Sequence, residues 1–182
     1  MTDPSTDPAF PPASLETFLR CCEGEWMSLR SRFDLEAAAA ANAPESPPES
    51  AEAAGDEGAA DGDEWHSSER GDLLVAYVEP VDGEGPGGLR VGPKGETPQL
   101  LQFSDDGQFR SGERQGQWTL WEDGSLELSL SNGARELRER IWFTKPNLRL
   151  RATLESSGDG SPSRASFSSE IRRVSRPPEP AG

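Results

Sequence analysis

Arg149 and Arg151 lie two residues apart in the alternating run 148–154, opposite the parity of Leu148, Leu150, Ala152 and Leu154. Two guanidiniums on one face of a strand suit carboxylate recognition, because each presents a planar fork of donors that fits a carboxylate bidentately. Upstream, Glu139 stands on the otherwise apolar parity of the run 135–143, with Leu137, Ile141 and Phe143. An acid on a buried face needs a hydrogen-bonded or charged partner. Two arrangements fit this pattern. In one, every apolar face is core and every charged face is solvated. In the other, some charged residues line an interior that receives a polar ligand. Periodicity alone does not separate them.

Other chemistry is sparse. Cys21 and Cys22 are the two cysteines of the 182-residue chain. Their number excludes a disulfide framework, and a bridge between neighbours would be strained. With a single histidine, His66, they make a poor zinc site, so no metal is expected. Cys22 completes an apolar helical stripe, so it is expected to be buried and inert rather than a covalent carrier.

The formal charge of −15 is unevenly spread. Residues 36–64 hold nine acids and no lysine or arginine, whereas residues 135–176 hold ten basic residues against five acids. The C-terminal third can therefore attract anions although the chain is acidic. Nucleic acid is not an expected partner, because the overall field repels a polyanion. No basic segment precedes an apolar one at the N-terminus, and no apolar run is long enough to cross a membrane. The expected location is cytoplasmic, without a membrane partner.

The elements that must position these residues are legible in turn chemistry and period. Residues 1–13 are Pro-rich and polar and are expected to form a disordered tail. Ser14 offers an N-cap, and Leu15, Phe18, Leu19 and Cys22 form the apolar stripe of a short helix that Gly24 is expected to stop. A period of two over 25–35 predicts a long strand. Residues 37–64 are an Ala/Pro/Glu/Asp/Gly tract whose small apolar content predicts a disordered acidic insertion. Strand signals then recur over 72–79, 89–91, 100–103, 117–121, 126–130, 135–143, 148–154 and 164–174. Asp106-Gly107, Asp123-Gly124, Asn132-Gly133 and Asp159-Gly160 mark turns between them. Residues 175–182 are expected to be a second disordered tail. The sequence thus predicts a mainly β chain. It has one domain over 14–174, interrupted by the insertion: an antiparallel up-and-down β-barrel with a short N-terminal helix, of a size that holds one small ligand.

One stretch is more specific. Glu139-Arg140-Ile141-Trp142-Phe143-Thr144-Lys145-Pro146-Asn147-Leu148-Arg149-Leu150-Arg151 resembles a signature of the CpcS/CpeS family, the S-type phycobiliprotein chromophore lyases. Ala165-Ser166-Phe167-Ser168-Ser169-Glu170-Ile171-Arg172, Gly24-Glu25-Trp26-Met27-Ser28-Leu29-Arg30-Ser31 and Gly87-Gly88-Leu89-Arg90-Val91 resemble further motifs of that family, in family order. The resemblance implies a lipocalin-like barrel. It also implies noncovalent capture of a bilin, an open-chain tetrapyrrole, and its attachment by a thioether to a cysteine of a phycobiliprotein subunit. Phycocyanobilin or phycoerythrobilin would be the substrate, with no tightly bound cofactor, and an α or β subunit the acceptor. A homodimer, or a heterodimer with a paralogue, is compatible with it. Carried over by position, the motifs imply Arg149 and Arg151 as anchors for the pigment's propionates, Arg149 foremost. Glu139 would lie near the pyrrole nitrogens or act as a proton donor. Thr153, Trp26 and Arg30 would complete the binding site. Trp142, on the opposite parity from Glu139, is expected to be structural, and Glu170 is expected either in the site or in a surface cross-strand pair. A noncatalytic carrier barrel and an assembly factor with a filled barrel are the alternatives.

Overall fold

A computed structural model describes residues 8–41, 65–83 and 85–174. Helix α1 (Leu15–Cys22) leads into strand β1 (Gly24–Asp34), which ends at a second short helix, α2 (Leu35–Ala41). The chain continues through β2 (His66–Val78), β3 (Gly88–Pro93), β4 (Gln99–Phe103), β5 (Gln108–Ser111) and β6 (Arg114–Leu120). It ends with β7 (Leu126–Ser131), β8 (Arg135–Lys145), β9 (Leu148–Ser157) and β10 (Pro162–Arg172). Each strand pairs antiparallel with the next, and β10 pairs back onto β1, so the ten strands close into an up-and-down barrel. Closure leaves no free sheet edge. Tight turns make the meander possible: Gly133 follows Asn132 with φ of 81°, a conformation in which a Cβ would be strained.

Helix α1 seals one end. Its N-cap is Ser14, whose Oγ accepts from the Thr17 amide at 3.2 Å. Phe18 and Leu19 are fully buried and join Trp26, Val75, Phe109, Leu126 and Ile141 in the core. Burying each large apolar side chain contributes about 1.5–3 kcal/mol. The helix ends at Cys22, and its last carbonyls are taken up by the barrel itself. The indole Nε1 of Trp26 donates to the Cys22 carbonyl at 2.9 Å, and the Arg172 guanidinium donates to that of Cys21. Gly24, with φ of 137°, therefore turns the chain into β1 rather than forming a left-handed helical cap.

The structure departs from these expectations at five points. Residues 8–13 of the expected N-terminal tail are packed: Phe10 meets the Phe143 ring edge-on at 6.3 Å and Pro12 is buried. Apolar anchors inside a Pro-rich segment account for this. Residues 1–7 lie outside the described residues. The first strand stops at Asp34, not at 35, and residues 37–41 of the expected disordered insertion belong to α2. There the Asp34 carboxylate accepts from the Ala37 amide at 3.0 Å, and alanine has the highest helix propensity. Residues 42–64 and 175–182 lie outside the described residues. Strand β2 begins at His66, six residues before the expected 72, because its polar first half is paired along β1 although neither of its faces is apolar. Finally, β5 is a four-residue strand that no sequence signal marked.

Candidate functional site

The barrel interior has an apolar end and a charged end. Under α1 lies a cavity of about 190 Å³, walled by Phe18, Cys22, Leu89, Phe109, Leu128 and Ile141. Glu139 and Arg151 form its polar boundary. Val91, Gln99 and Arg151 also line a wider cleft of about 740 Å³, with Ser28, Arg30, Glu69 and Gly71. A Cβ added to Gly71 would meet nothing within 4 Å, so the cleft has room there.

Strand register gathers these charges on one face, and burial of Arg149, Ser168 and Glu170 marks that face as the inner one. Arg149 pairs with Glu170, Arg151 with Ser168 and Thr153 with Ser166 across β9 and β10. Trp26, Ser28 and Arg30 continue the same inward rows on β1. The outward rows carry Leu29, Leu154, Phe167 and Ile171, all at least 40% exposed. On these strands the apolar parity is therefore outside, and the reading in which every apolar face is core fails. On β7 it holds, because Leu126 and Leu128 are buried.

The polar groups form a chain. Arg151 Nη1 donates to Glu139 Oε1 at 3.1 Å, and Thr153 Oγ1 donates to Glu139 Oε2 at 3.4 Å. Arg151 Nε lies 3.4 Å from Glu170 Oε1, and Arg149 Nε donates to Glu170 Oε2. Arg30 Nε donates to Ser168 Oγ at 3.1 Å. Burial by itself would push the Glu170 carboxyl up, but the Arg151 and Arg149 guanidiniums beside it hold it below the usual carboxylate range. Burial likewise acts against the charge of Arg151, yet Glu139 and Glu170 outweigh it and hold the guanidinium above its ordinary value.

Of the six residues singled out from sequence, Glu139 and Arg151 are brought together at the cavity boundary, Thr153 is bonded to Glu139 but lines neither space, and Arg30 lines the adjoining cleft. Arg149 and Trp26 sit behind them. Arg149 is buried to 1% exposure with its guanidinium 4.3 Å from the Trp26 ring, and neither residue lines the cavity or the cleft. Trp142 faces outward near Phe167. Glu170 is fully buried, not a surface partner. Its parity with Ser166 and Ser168, against Phe167 and Ile171, is the sequence signal that could have placed it. Glu69 and Cys22 line these spaces without having been anticipated there. Burial pushes the Cys22 thiol up, with Arg149 and Arg151 opposing, and burial pushes the Cys21 thiol up to about 11. Among the described residues no cluster of His, Cys, Asp or Glu could hold a metal, and no helix is long and apolar enough to cross a membrane.

Residues 95–173 match the family model described as CpeS-like protein. The chain is 40% identical over 170 residues to chromophore lyase CpcS/CpeS 1 of Paulinella chromatophora, covering 92% of each protein. It is 35% identical over 118 residues to chromophore lyase CpcS/CpeS 2 of a Synechococcus species, covering 64% of this chain and 56% of that one. The S-type phycobiliprotein lyase CPES from Guillardia theta shares the fold, with a TM-score of 0.59 at 22% identity over 90% of this chain and 94% of that one. The chain belongs to the CpcS/CpeS family of chromophore lyases.

Proposed function

We propose that the barrel receives a bilin noncovalently in its lumen and delivers it to a cysteine of a phycobiliprotein α or β subunit, where a thioether forms. The observation that carries this reading is the Glu139–Arg151 pair, set where the apolar cavity meets the polar cleft. A bilin has an extended apolar conjugated body, pyrrolic nitrogens and two propionates. The cavity under α1 offers apolar walls, Glu139 offers a carboxylate for the nitrogens, and Arg151 and Arg30 offer cations for the propionates. Arg149 and Trp26 act through Glu170: they fix its carboxylate, which in turn orients Arg151.

The chemistry asked of the protein is modest. The acceptor thiol adds across the exocyclic double bond of ring A, forming one C–S and one C–H bond with no leaving group. The thiolate is a competent nucleophile. The barrel holds the pigment in one orientation and shields it from stray thiols, which is catalysis by positioning. Glu139, as a carboxylate, would take the proton that the thiol loses and pass it to the pigment carbon as the C–S bond forms, so the proton count closes. Phycocyanobilin and phycoerythrobilin are the pigments to test.

Titration of the purified protein with each free bilin, followed by visible absorption, tests the reading. It expects a saturable spectral change, loss of the pigment from this protein on denaturation, and retention of the pigment by an apo-subunit added before denaturation. Absence of any spectral change with either pigment contradicts it.

A further inference from the structure

One cation of the polar cleft, Arg30, already faces a carboxylate of the chain itself, Glu69, which also pairs with Arg32 beside the cleft. Arg30 and Glu69 are register partners across β1 and β2, flanked by the pairs Ser28–Gly71 and Arg32–Ser67. One oxygen of Glu69, Oε1, lies 2.8 Å from Arg32 Nη2 and 3.9 Å from Arg30 Nη1. The second distance is an ion pair without a hydrogen bond, so Arg30 is incompletely used; its Nε is held by Ser168. The Glu69 side chain is 51% exposed. A half-exposed ion pair of this kind contributes at most about 1 kcal/mol, so the carboxylate can leave at small cost. The inward neighbours are small: Ser28, Ser67 and Ser168, with Gly71 facing open space.

We infer that Glu69 is a resident stand-in for a pigment propionate, which the bilin displaces from Arg30 and Arg32 on entering and which reclaims them as the pigment leaves. This rests on the bilin-binding reading above and adds to it a residue that sets affinity and release. A cargo protein must give up its cargo. An internal carboxylate that competes for the same guanidiniums lowers affinity without removing the groups that orient the pigment. No bond is made or broken; one carboxylate exchanges for another.

Equilibrium titration of the full chain with a free-acid bilin and with its dimethyl ester, at one fixed ionic strength, tests this. Glu69→Gln keeps the shape of the side chain and removes the competing charge. Affinity for the free acid should rise about two- to fivefold, as expected for losing an exposed ion pair. Affinity for the ester, which has no carboxylates, should not change. The gain should vanish in a background that carries both Arg30→Ala and Arg32→Ala, because the contested cations are then absent. An unchanged or lower affinity for the free acid, or an equal rise for acid and ester, overturns the inference while leaving the bilin site standing. If the parent chain binds neither compound, the bilin-binding reading falls and the inference with it.

Discussion

The Glu170 carboxylate and the Arg149 guanidinium meet inside the barrel wall, where both side chains are almost wholly excluded from water. Trp26 lies over Arg149 at 4.3 Å and over Arg172 at 4.7 Å, so one indole braces two guanidiniums while its own N–H binds the end of α1. This ties three things together: the closure of the barrel between β1 and β10, the seating of the helix, and the orientation of Arg151 through the second oxygen of Glu170.

Removing one partner of a buried pair leaves a charge uncompensated, which costs about 3–5 kcal/mol. Glu170→Ala and Arg149→Ala should each destabilise the barrel by about that amount. The double replacement Arg149→Met with Glu170→Leu should recover much of the loss. Chemical denaturation of the four proteins measures this. Single replacements as mild as those at exposed sites would show that the pair does not hold the wall.

The pair also sets an acid dependence. The folded-state pKa of Glu170 lies below its unfolded value. Its contribution is therefore fully present above the ordinary glutamate pKa of about 4.3 and is lost as pH falls from there through the folded-state value. The stability gap between the parent and Glu170→Gln should be constant from pH 7 to 6 and narrow below about pH 4.3. Denaturation midpoints measured at stepped pH check it; a gap that widens on acidification contradicts the sign.

At the cavity boundary the two members of one ion pair should behave differently. Arg151→Ala removes a charged anchor and should weaken binding of the free-acid bilin by about tenfold or more, as for a lost hydrogen bond to a charged group. Glu139→Gln keeps the side-chain shape and should leave binding within about threefold. Transfer to the subunit should slow by at least about a hundredfold, the lower range for losing a general acid. Binding titrations beside single-turnover transfer rates separate the two. Parent-like transfer by both variants would remove these residues from the site.

Cys21 and Cys22 should take no covalent part. Both are buried, and burial pushes the Cys21 thiol up to about 11 and raises that of Cys22, so little thiolate is present near neutral pH. Thiol reagents should modify the native protein slowly and the denatured protein fast. Cys21→Ser and Cys22→Ser should each still transfer pigment. A pigmented band on this protein in denaturing gels, lost on replacing either cysteine, would contradict this.

The barrel was legible because its turns are written in Asp-Gly and Asn-Gly pairs and its later strands alternate cleanly. What alternation cannot state is which parity faces in. Leu148, Leu150 and Leu154 on one side and Arg149, Arg151 and Thr153 on the other define two faces of β9 equally well in either orientation. Register puts Arg149, Arg151 and Thr153 on one face with Ser166, Ser168 and Glu170, and only the burial of Arg149, Ser168 and Glu170 shows that this face is inside. Glu139 alone hinted at this from sequence, as an acid among apolar neighbours. Glu69 gave no hint, since it lies in the polar half of β2, where no period exists to be read. The depth of Arg149 and Trp26 was hidden for a related reason: a motif marks residues as belonging together but does not say which touch the ligand and which hold the ones that do.

The most direct test of the central claim is co-expression of this chain with bilin-synthesising enzymes and a panel of apo-phycobiliprotein subunits, followed by denaturing electrophoresis and zinc-enhanced fluorescence. The expected result is a fluorescent subunit band that requires this chain, requires one cysteine of that subunit, and fades when Arg151→Ala replaces the parent. Pigment that stays with this chain and never becomes covalent on any subunit, or a subunit band of equal intensity without this chain, would contradict the account.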